Sequence, residues 1–153
     1  MQAEHQVRAL LDRYTSMFRQ PDLLDVYAGW VSPLVALCAE VEVLLVGGPF
    51  VFHFTRIKEK FGQCRISFVL EHGPDARRTA ETEDELERCT KEIEQRVKAA
   101  QCACASRCLV CGRTAAAPAA CMPTPLCKLH AWSEDQRDPW SIGKIHLTVR
   151  LDR

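Results

Sequence analysis

Two short pairs of cysteine and histidine residues are the part of this chain whose types and spacing could do chemistry. Cys108 and Cys111 are separated by two residues and followed by Gly112, and Cys127 and His130 repeat the same gap further along the chain. Thiolates and imidazoles are the ligands of closed tetrahedral zinc sites, and a two-residue gap lets both side chains of a pair converge on one ion. The pattern therefore predicts a Zn²⁺ site formed by these two pairs.

The predicted ion has a structural role. A catalytic zinc keeps one coordination position open for water, whereas four protein ligands fill the tetrahedron. The chain contains no His-x-Glu of the zinc deaminases, no His-Glu-x-x-His of the zincins and no glycine-rich phosphate loop. These observations predict a protein that is not an enzyme. The alternative is an enzyme that uses a cysteine nucleophile or an open metal site.

Three further cysteines lie close to the predicted ligands. Cys121 lies between the two pairs and could replace Cys127 or His130, and Cys102 and Cys104 could contribute to a second site. We interpret all three as small apolar side chains or exposed thiols.

Composition predicts a globular protein of the cytoplasm. The chain has 153 residues, of which 47% are hydrophobic and 26% charged, and its formal net charge is zero. A neutral chain is not expected to act mainly by coating DNA or an acidic membrane. The apolar stretch from 31 to 54 contains Glu40, Glu42 and Gly47-Gly48-Pro49, and we expect no membrane span there. Nine cysteines without a visible export signal favour a reducing compartment and metal ligation over disulfides.

Apolar residues at spacings of three and four predict three amphipathic helices that would position the site. The first is expected to end before Pro21. The second is expected to begin at Ser32-Pro33 and to end at Gly47-Gly48-Pro49, and the third begins at a capping box of Thr82 and Glu85. The apolar positions are Val7, Leu10, Leu11, Tyr14, Met17 and Phe18; Leu34, Leu37, Cys38, Val41, Leu44 and Leu45; and Leu86, Cys89, Ile93, Val97 and Ala100.

Alternation with a period of two predicts an antiparallel hairpin between the second and third helices. Its strands hold Phe50, Phe52 and Phe54, then Ile66, Phe68 and Leu70. The connection from 58 to 63 is expected to turn at Gly62, with Phe61 folded back onto the core.

The carboxyl-terminal part is predicted to be a zinc module followed by a tail. A cysteine knuckle, a loop or small hairpin and a short helix follow one another in the order of a treble clef. The fold class is therefore α+β, with amphipathic helices, a short antiparallel hairpin or sheet and a treble-clef-like zinc module. The predicted division is a core at 1–101, the zinc module at 102–131 and a tail at 132–153, with one candidate strand at 145–151.

Charge is distributed unevenly along the chain. Residues 71–100 carry nine acids and six bases, residues 46–70 carry one acid and four bases, and residues 101–130 carry three bases and no acid. Ordinary solvated surface is one explanation of such a distribution. The alternative is two oppositely charged faces, one of which steers a partner.

Several strings in this chain resemble a set of small bacterial and phage proteins of largely unassigned function. They are Gly29-Trp30, the stretch Ile57-Lys58-Glu59-Lys60-Phe61-Gly62 with Arg65, and the two ligand pairs, the second as Leu126-Cys127-x-x-His130-Ala131. Those proteins share the Lys-Glu-Lys-Phe-Gly turn and the carboxyl-terminal Cys-x-x-Cys and Cys-x-x-His pairs. Here Cys64-Arg65-Ile66-Ser67 stands where the family tends to have Leu-Arg-Phe-Tyr. The resemblance implies the fold and the metal, and little about activity.

The expected function is that of a non-enzymatic, zinc-stabilised protein that inhibits a protein partner by stoichiometric contact, as an immunity protein or a phage counter-defence inhibitor does. The partner would be a toxin or defence effector, and the expected contact residues are Glu83, Asp84, Glu87, Lys58 and Lys60. No membrane partner is expected. The alternative is a nucleic-acid-binding accessory protein, whose bases would be Arg56, Lys58, Lys60, Arg65, Arg107, Arg113 and Lys128.

Overall fold

A mixed four-stranded sheet with helices packed against it organises the chain. The computed structural model describes residues 2–19, 24–116, 125–131 and 144–146. The elements are α1 (Gln2–Arg13), β1 (Leu24–Tyr27), a short 3₁₀ turn (Ala28–Trp30), α2 (Val31–Leu45), β2 (Phe50–Lys60), β3 (Gln63–His72), α3 (Ala80–Ala105), α4 (Lys128–Ala131) and β4 (Lys144–His146). The predicted α+β class is confirmed.

The strand order is β3-β2-β1-β4. β2 and β3 form the predicted antiparallel hairpin, β1 lies parallel to β2, and β4 is antiparallel to β1. β1 was not predicted, because four residues are too few to show a period. The predicted strand at 145–151 overlaps β4 at its first two residues, and its remainder lies outside the described residues.

α1 ends earlier than its apolar pattern predicts. The helix stops at Arg13, yet Tyr14, Met17 and Phe18 remain buried. The Met17 carbonyl accepts a hydrogen bond from the backbone N–H of Phe54 at 2.9 Å, and the Phe18 and Phe54 rings lie 5.1 Å apart. These contacts with β2 replace the last helical turn, so the burial was predicted correctly and the helical conformation was not.

α2 forms the centre of the helical layer. It begins at Val31, with Trp30 as the N-cap, so the predicted start, with Ser32 as N-cap and Pro33 as first helical residue, is wrong by two residues. Its end at Leu45 before Gly47 (φ 72°) agrees with the prediction. By length and composition alone the stretch Ala28–Leu45 could cross a membrane. However, the helix has a buried side, which is typical of a core helix and consists of Leu34, Leu37, Cys38 and Val41.

α3 also begins before its predicted start. Thr79 is the N-cap, and it forms a reciprocal capping box with Thr82, in which each side chain accepts a hydrogen bond from the other backbone N–H. The predicted box of Thr82 and Glu85 is therefore displaced by one turn. The buried stripe is as expected at Ile93, Val97 and Ala100, and it continues to Cys104, whereas Leu86 and Cys89, which were also predicted for it, are only half-buried.

One hydrophobic cluster connects these elements to the cysteine pairs. Buried residues of the helices and strands share this cluster with four residues of the carboxyl-terminal part, which are Cys108, Leu109, Leu126 and Cys127. The knuckle and the second pair are therefore packed into the main core.

Candidate metal centre and charged surfaces

The first ligand pair lies in a tight knuckle. The backbone N–H of Cys108 donates to the carbonyl of Arg113 at 2.7 Å, and that of Gly112 donates to the carbonyl of Cys108 at 2.9 Å. An antiparallel bridge between Arg107 and Thr114 closes the knuckle at its base. Gly112 has a φ of 73°, a backbone conformation that glycine adopts without steric cost.

The second pair lies at the start of α4. The backbone N–H of His130 donates to the carbonyl of Cys127 at 3.0 Å, so the three-residue offset brings both side chains to one side of the turn. Two further hydrogen bonds join this segment to the knuckle, from Leu109 N–H to the Pro125 carbonyl and from Ala116 N–H to the Leu126 carbonyl.

The four predicted ligands converge on one point. Their ligand atoms all lie within 4.8 Å of one another, and the described residues contain no other cluster of three or more candidate ligands. Cys127 Sγ and Cys111 Sγ are 3.7 Å apart, and His130 Nδ1 lies 3.3 Å from Cys108 Sγ and 3.2 Å from Cys127 Sγ. Tetrahedral zinc places two thiolates about 3.8 Å apart, and a thiolate and an imidazole nitrogen about 3.5 Å apart. The arrangement therefore fits a zinc ion, with His130 ligating through Nδ1.

The surroundings of Cys127 favour the thiolate that a metal needs. Burial opposes ionisation, but the backbone N–H and ring of His130 and the thiols of Cys111 and Cys108 stabilise the charge and lower the pKa of Cys127 to about 6. The pKa of Cys111 is raised, first by burial and also by the neighbouring thiols. The lowered pKa of Cys127 and the raised pKa of Cys111 mean that the Cys127 thiol ionises before that of Cys111.

The knuckle lies directly on Gly29, in the 3₁₀ turn between β1 and α2. The Gly29 N–H donates to the Leu109 carbonyl at 2.8 Å. A Cβ at Gly29 would lie 1.9 Å from the Cys108 carbonyl oxygen, 2.7 Å from Gly112 N and 2.8 Å from the Leu109 carbonyl oxygen. Only glycine fits such an approach of two backbones. The resemblance included Gly29, but its spacing in the sequence shows no link to the ligands.

The two other described cysteines of this region, Cys102 and Cys104, are not part of the candidate ligand cluster. Cys102 is exposed and Cys104 is buried, in agreement with their interpretation as a thiol at the surface and a small apolar side chain. A hydrogen bond with Cys104, together with burial, raises the pKa of Cys64 on β3. This buried thiol pair joins α3 to β3 and was not predicted. Cys121 lies outside the described residues.

The predicted partner-binding residues lie at opposite ends of the sheet. His72 at the end of β3 contacts Glu83 in the first turn of α3 at 2.9 Å. Near the start of β3, the Ile66 N–H donates to Gln101 Oε1 at 3.2 Å. α3 therefore lies antiparallel to β3, and Glu83 is about 27 Å along the helix axis from Gln101, which lies near the hairpin turn.

The knuckle lies at the same end as the hairpin turn. β1 is parallel to β2 and pairs Asp25 with Lys58, so the chain leaves β1 towards the turn and reaches Gly29 there. The bases near the hairpin turn, Lys58, Lys60 and Arg65, therefore lie at the same end of the sheet as the knuckle. The separation of these bases from the acidic first half of α3 results from the packing of α3 on β3.

The hairpin differs from its prediction in its turn. Lys58, Glu59 and Lys60 belong to β2, and the turn consists of Phe61 (φ 53°) and Gly62 (φ 76°) alone. Two positive φ values are typical of a type I′ hairpin turn. For phenylalanine this conformation costs about 1–2 kcal/mol.

The prediction that Phe61 folds onto the core is wrong. Its side chain is 73% exposed, and the Lys60 ammonium lies 5.7 Å from the ring centroid. Glu59 is buried instead, and its Oε1 accepts a hydrogen bond from the Gly62 N–H at 2.8 Å. A carboxylate in the core thus holds the turn, and the aromatic ring points outwards.

Comparison of the chain with models of protein families, with curated proteins and with solved structures found no match. The resemblance to small bacterial and phage proteins therefore stays a prediction. Function has to be inferred from the metal centre and the charged surfaces.

Proposed function

We propose that this chain is a non-enzymatic, zinc-stabilised binding protein of the cytoplasm that inhibits a protein partner by stoichiometric contact. The convergence of three thiols and one imidazole supports a closed Zn²⁺ site in a treble-clef-like module. Four protein ligands leave no position for a substrate or a water nucleophile, so the ion supports the fold. An immunity protein or a phage counter-defence inhibitor would have this design.

The acidic surface of α3 is the observation that carries the proposed contact. Residues 80–94 contain seven acids and two bases, and Glu83, Asp84 and Glu87 are exposed. These carboxylates belong to one outward side of the helix, which also carries Leu86, Thr90, Lys91 and Glu94. A partner with a basic surface, such as a nuclease toxin or a defence effector that handles nucleic acid, is complementary to it.

Charge reversal tests the acidic surface. A variant with Glu83→Lys, Asp84→Lys and Glu87→Lys is expected to lower the association rate with a protein captured from the native host by about tenfold or more, because it reverses electrostatic steering. Surface plasmon resonance with the purified pair measures the rate. Asp12→Lys, Glu71→Lys and Asp75→Lys form a charge-matched control at exposed positions elsewhere. Equal binding by the two triple variants would show that α3 is the wrong surface.

Metal content tests the ligand set. The purified chain is expected to bind one Zn²⁺, and Co²⁺ in its place should give the absorption bands of a tetrahedral site with thiolate ligands. Cys111→Ser should weaken or abolish this spectrum, whereas Cys102→Ser should leave it unchanged. The assignment would be contradicted if Cys102→Ser changed the Co²⁺ spectrum or if Cys111→Ser left it unchanged.

A further inference from the structure

The tip of the β2–β3 hairpin presents an aromatic ring among positively charged side chains. Phe61 is 73% exposed, and Lys60 lies over its ring. Lys58 and Arg65 are register partners on β2 and β3. Ile57, Glu59, Cys64 and Ile66 are buried on the inner face, so the alternation places Lys58, Lys60 and Arg65 together on the outer face.

The positive charge of these bases is only partly compensated within the described part of the chain. Like charges that face each other across two strands destabilise a sheet, and Lys58 and Arg65 are such a pair. Asp25 on β1 is the register neighbour of Lys58 on its other side. Among the described residues, neither Lys60 nor Arg65 has an ion-pair partner. An anionic ligand would relieve the repulsion at this tip.

The tip is held in place although its ring contributes little burial to the fold. The hydrogen bond from Gly62 N–H to the buried Glu59 carboxylate fixes the two-residue turn. Phe61 adopts a left-handed conformation that glycine, asparagine or aspartate would adopt at lower cost. A strained and exposed aromatic residue at a rigid tip is the arrangement of a contact residue.

We propose that this tip binds single-stranded nucleic acid, with an unpaired base stacked on Phe61 and phosphates contacted by Lys60, Arg65 and Lys58. An aromatic side chain stacks on any unpaired base, and flanking cations follow the backbone. An acidic polypeptide would satisfy the cations but has no regular supply of flat rings for Phe61. The acidic first half of α3 lies at the other end of β3, so it does not repel a strand bound here. This activity is independent of the protein contact proposed for α3.

Fluorescence anisotropy with short, mixed-sequence, single-stranded DNA and RNA tests the proposal. Phe61→Asn should weaken binding about five- to a hundredfold through the loss of stacking. The same variant should raise the melting temperature, because asparagine tolerates the positive φ. Arg65→Gln should weaken binding and reduce the slope of log affinity against log salt by about 0.7, as expected for one lost phosphate contact. Arg88→Gln, at an exposed base in the acidic half of α3, is the matched control and should bind like the parent.

Four outcomes would overturn the proposal. The first is that neither single-stranded DNA nor single-stranded RNA binds at low salt, and the second is that Phe61→Asn binds with unchanged affinity. The third is that Arg88→Gln loses as much affinity as Arg65→Gln. The fourth is that poly-glutamate binds as tightly as the oligonucleotides. Duplex DNA should bind more weakly than single strands, since its bases are not available for stacking. Equal affinity for duplex would be a fifth such outcome, because it would refute the stacking of a base on Phe61. Because Phe61→Asn and Arg65→Gln leave α3 unchanged, failure of the nucleic-acid proposal in these two variants leaves the proposed protein contact intact.

Discussion

Replacing Gly29 by alanine is expected to destabilise the protein by about 3 kcal/mol or more and to weaken its metal binding, because no space exists for a methyl group. The new Cβ would lie 1.9 Å from the carbonyl oxygen of Cys108, and its three nearest neighbours are all backbone atoms. A flexible side chain could rotate away, but the knuckle backbone must move as a whole. Chemical denaturation with and without Zn²⁺ measures both effects.

Gly48→Ala is the matched control for this prediction. Its Cβ would meet only the Leu45 carbonyl oxygen at 3.4 Å, so a change within about 0.5 kcal/mol is expected. If Gly29→Ala were as stable as Gly48→Ala and retained the metal affinity of the parent, the knuckle would not be docked on the 3₁₀ turn as described.

Removal of the metal is expected to destabilise the whole fold. Considered from the sequence alone, the zinc module would lose order while the helices remained. The structure changes this expectation, since Cys108 and Cys127 are buried in the same hydrophobic cluster as Trp30 and Ile93. Structural zinc binding contributes about 10–16 kcal/mol in small domains, which is comparable to the total stability of about 5–15 kcal/mol of a typical fold. We therefore expect chelation to lower the free energy of unfolding by about 5 kcal/mol or more.

Hydrogen exchange distinguishes global from local loss of structure. After chelation, the amides of α2 and of the β2–β3 hairpin should exchange faster together with those of the knuckle. Cys108→Ser should have the same effect without a chelator, and Cys102→Ser should not, because Cys102 is exposed and lies outside the ligand cluster. Faster exchange restricted to 107–130, with unchanged protection at Val41, would restore the interpretation of an independent module.

Features that depend on neighbours in the sequence were predicted well. The apolar stripes of the three long helices, the hairpin strands and the end of α2 follow from periodicity and from glycine. Element starts were less accurate. Thr79 and Thr82 can each serve as an N-cap, and local rules alone do not decide which of them caps α3. α1 lost its last turn to a hydrogen bond with Phe54, a residue far away in the sequence.

The ligand pairs, the helical stripes and the hairpin were determined by the sequence itself, because each depends on the spacing of residues within one element. Tertiary structure alone decided which of these elements contact one another. The knuckle contacts Gly29 because two distant backbones meet there, and a buried carboxylate of β2 points Phe61 outwards. The antiparallel packing of α3 on β3 separates an acidic end from a basic one. Such features depend on long-range contacts, which no local pattern records, and they are the features on which the proposed binding surfaces depend.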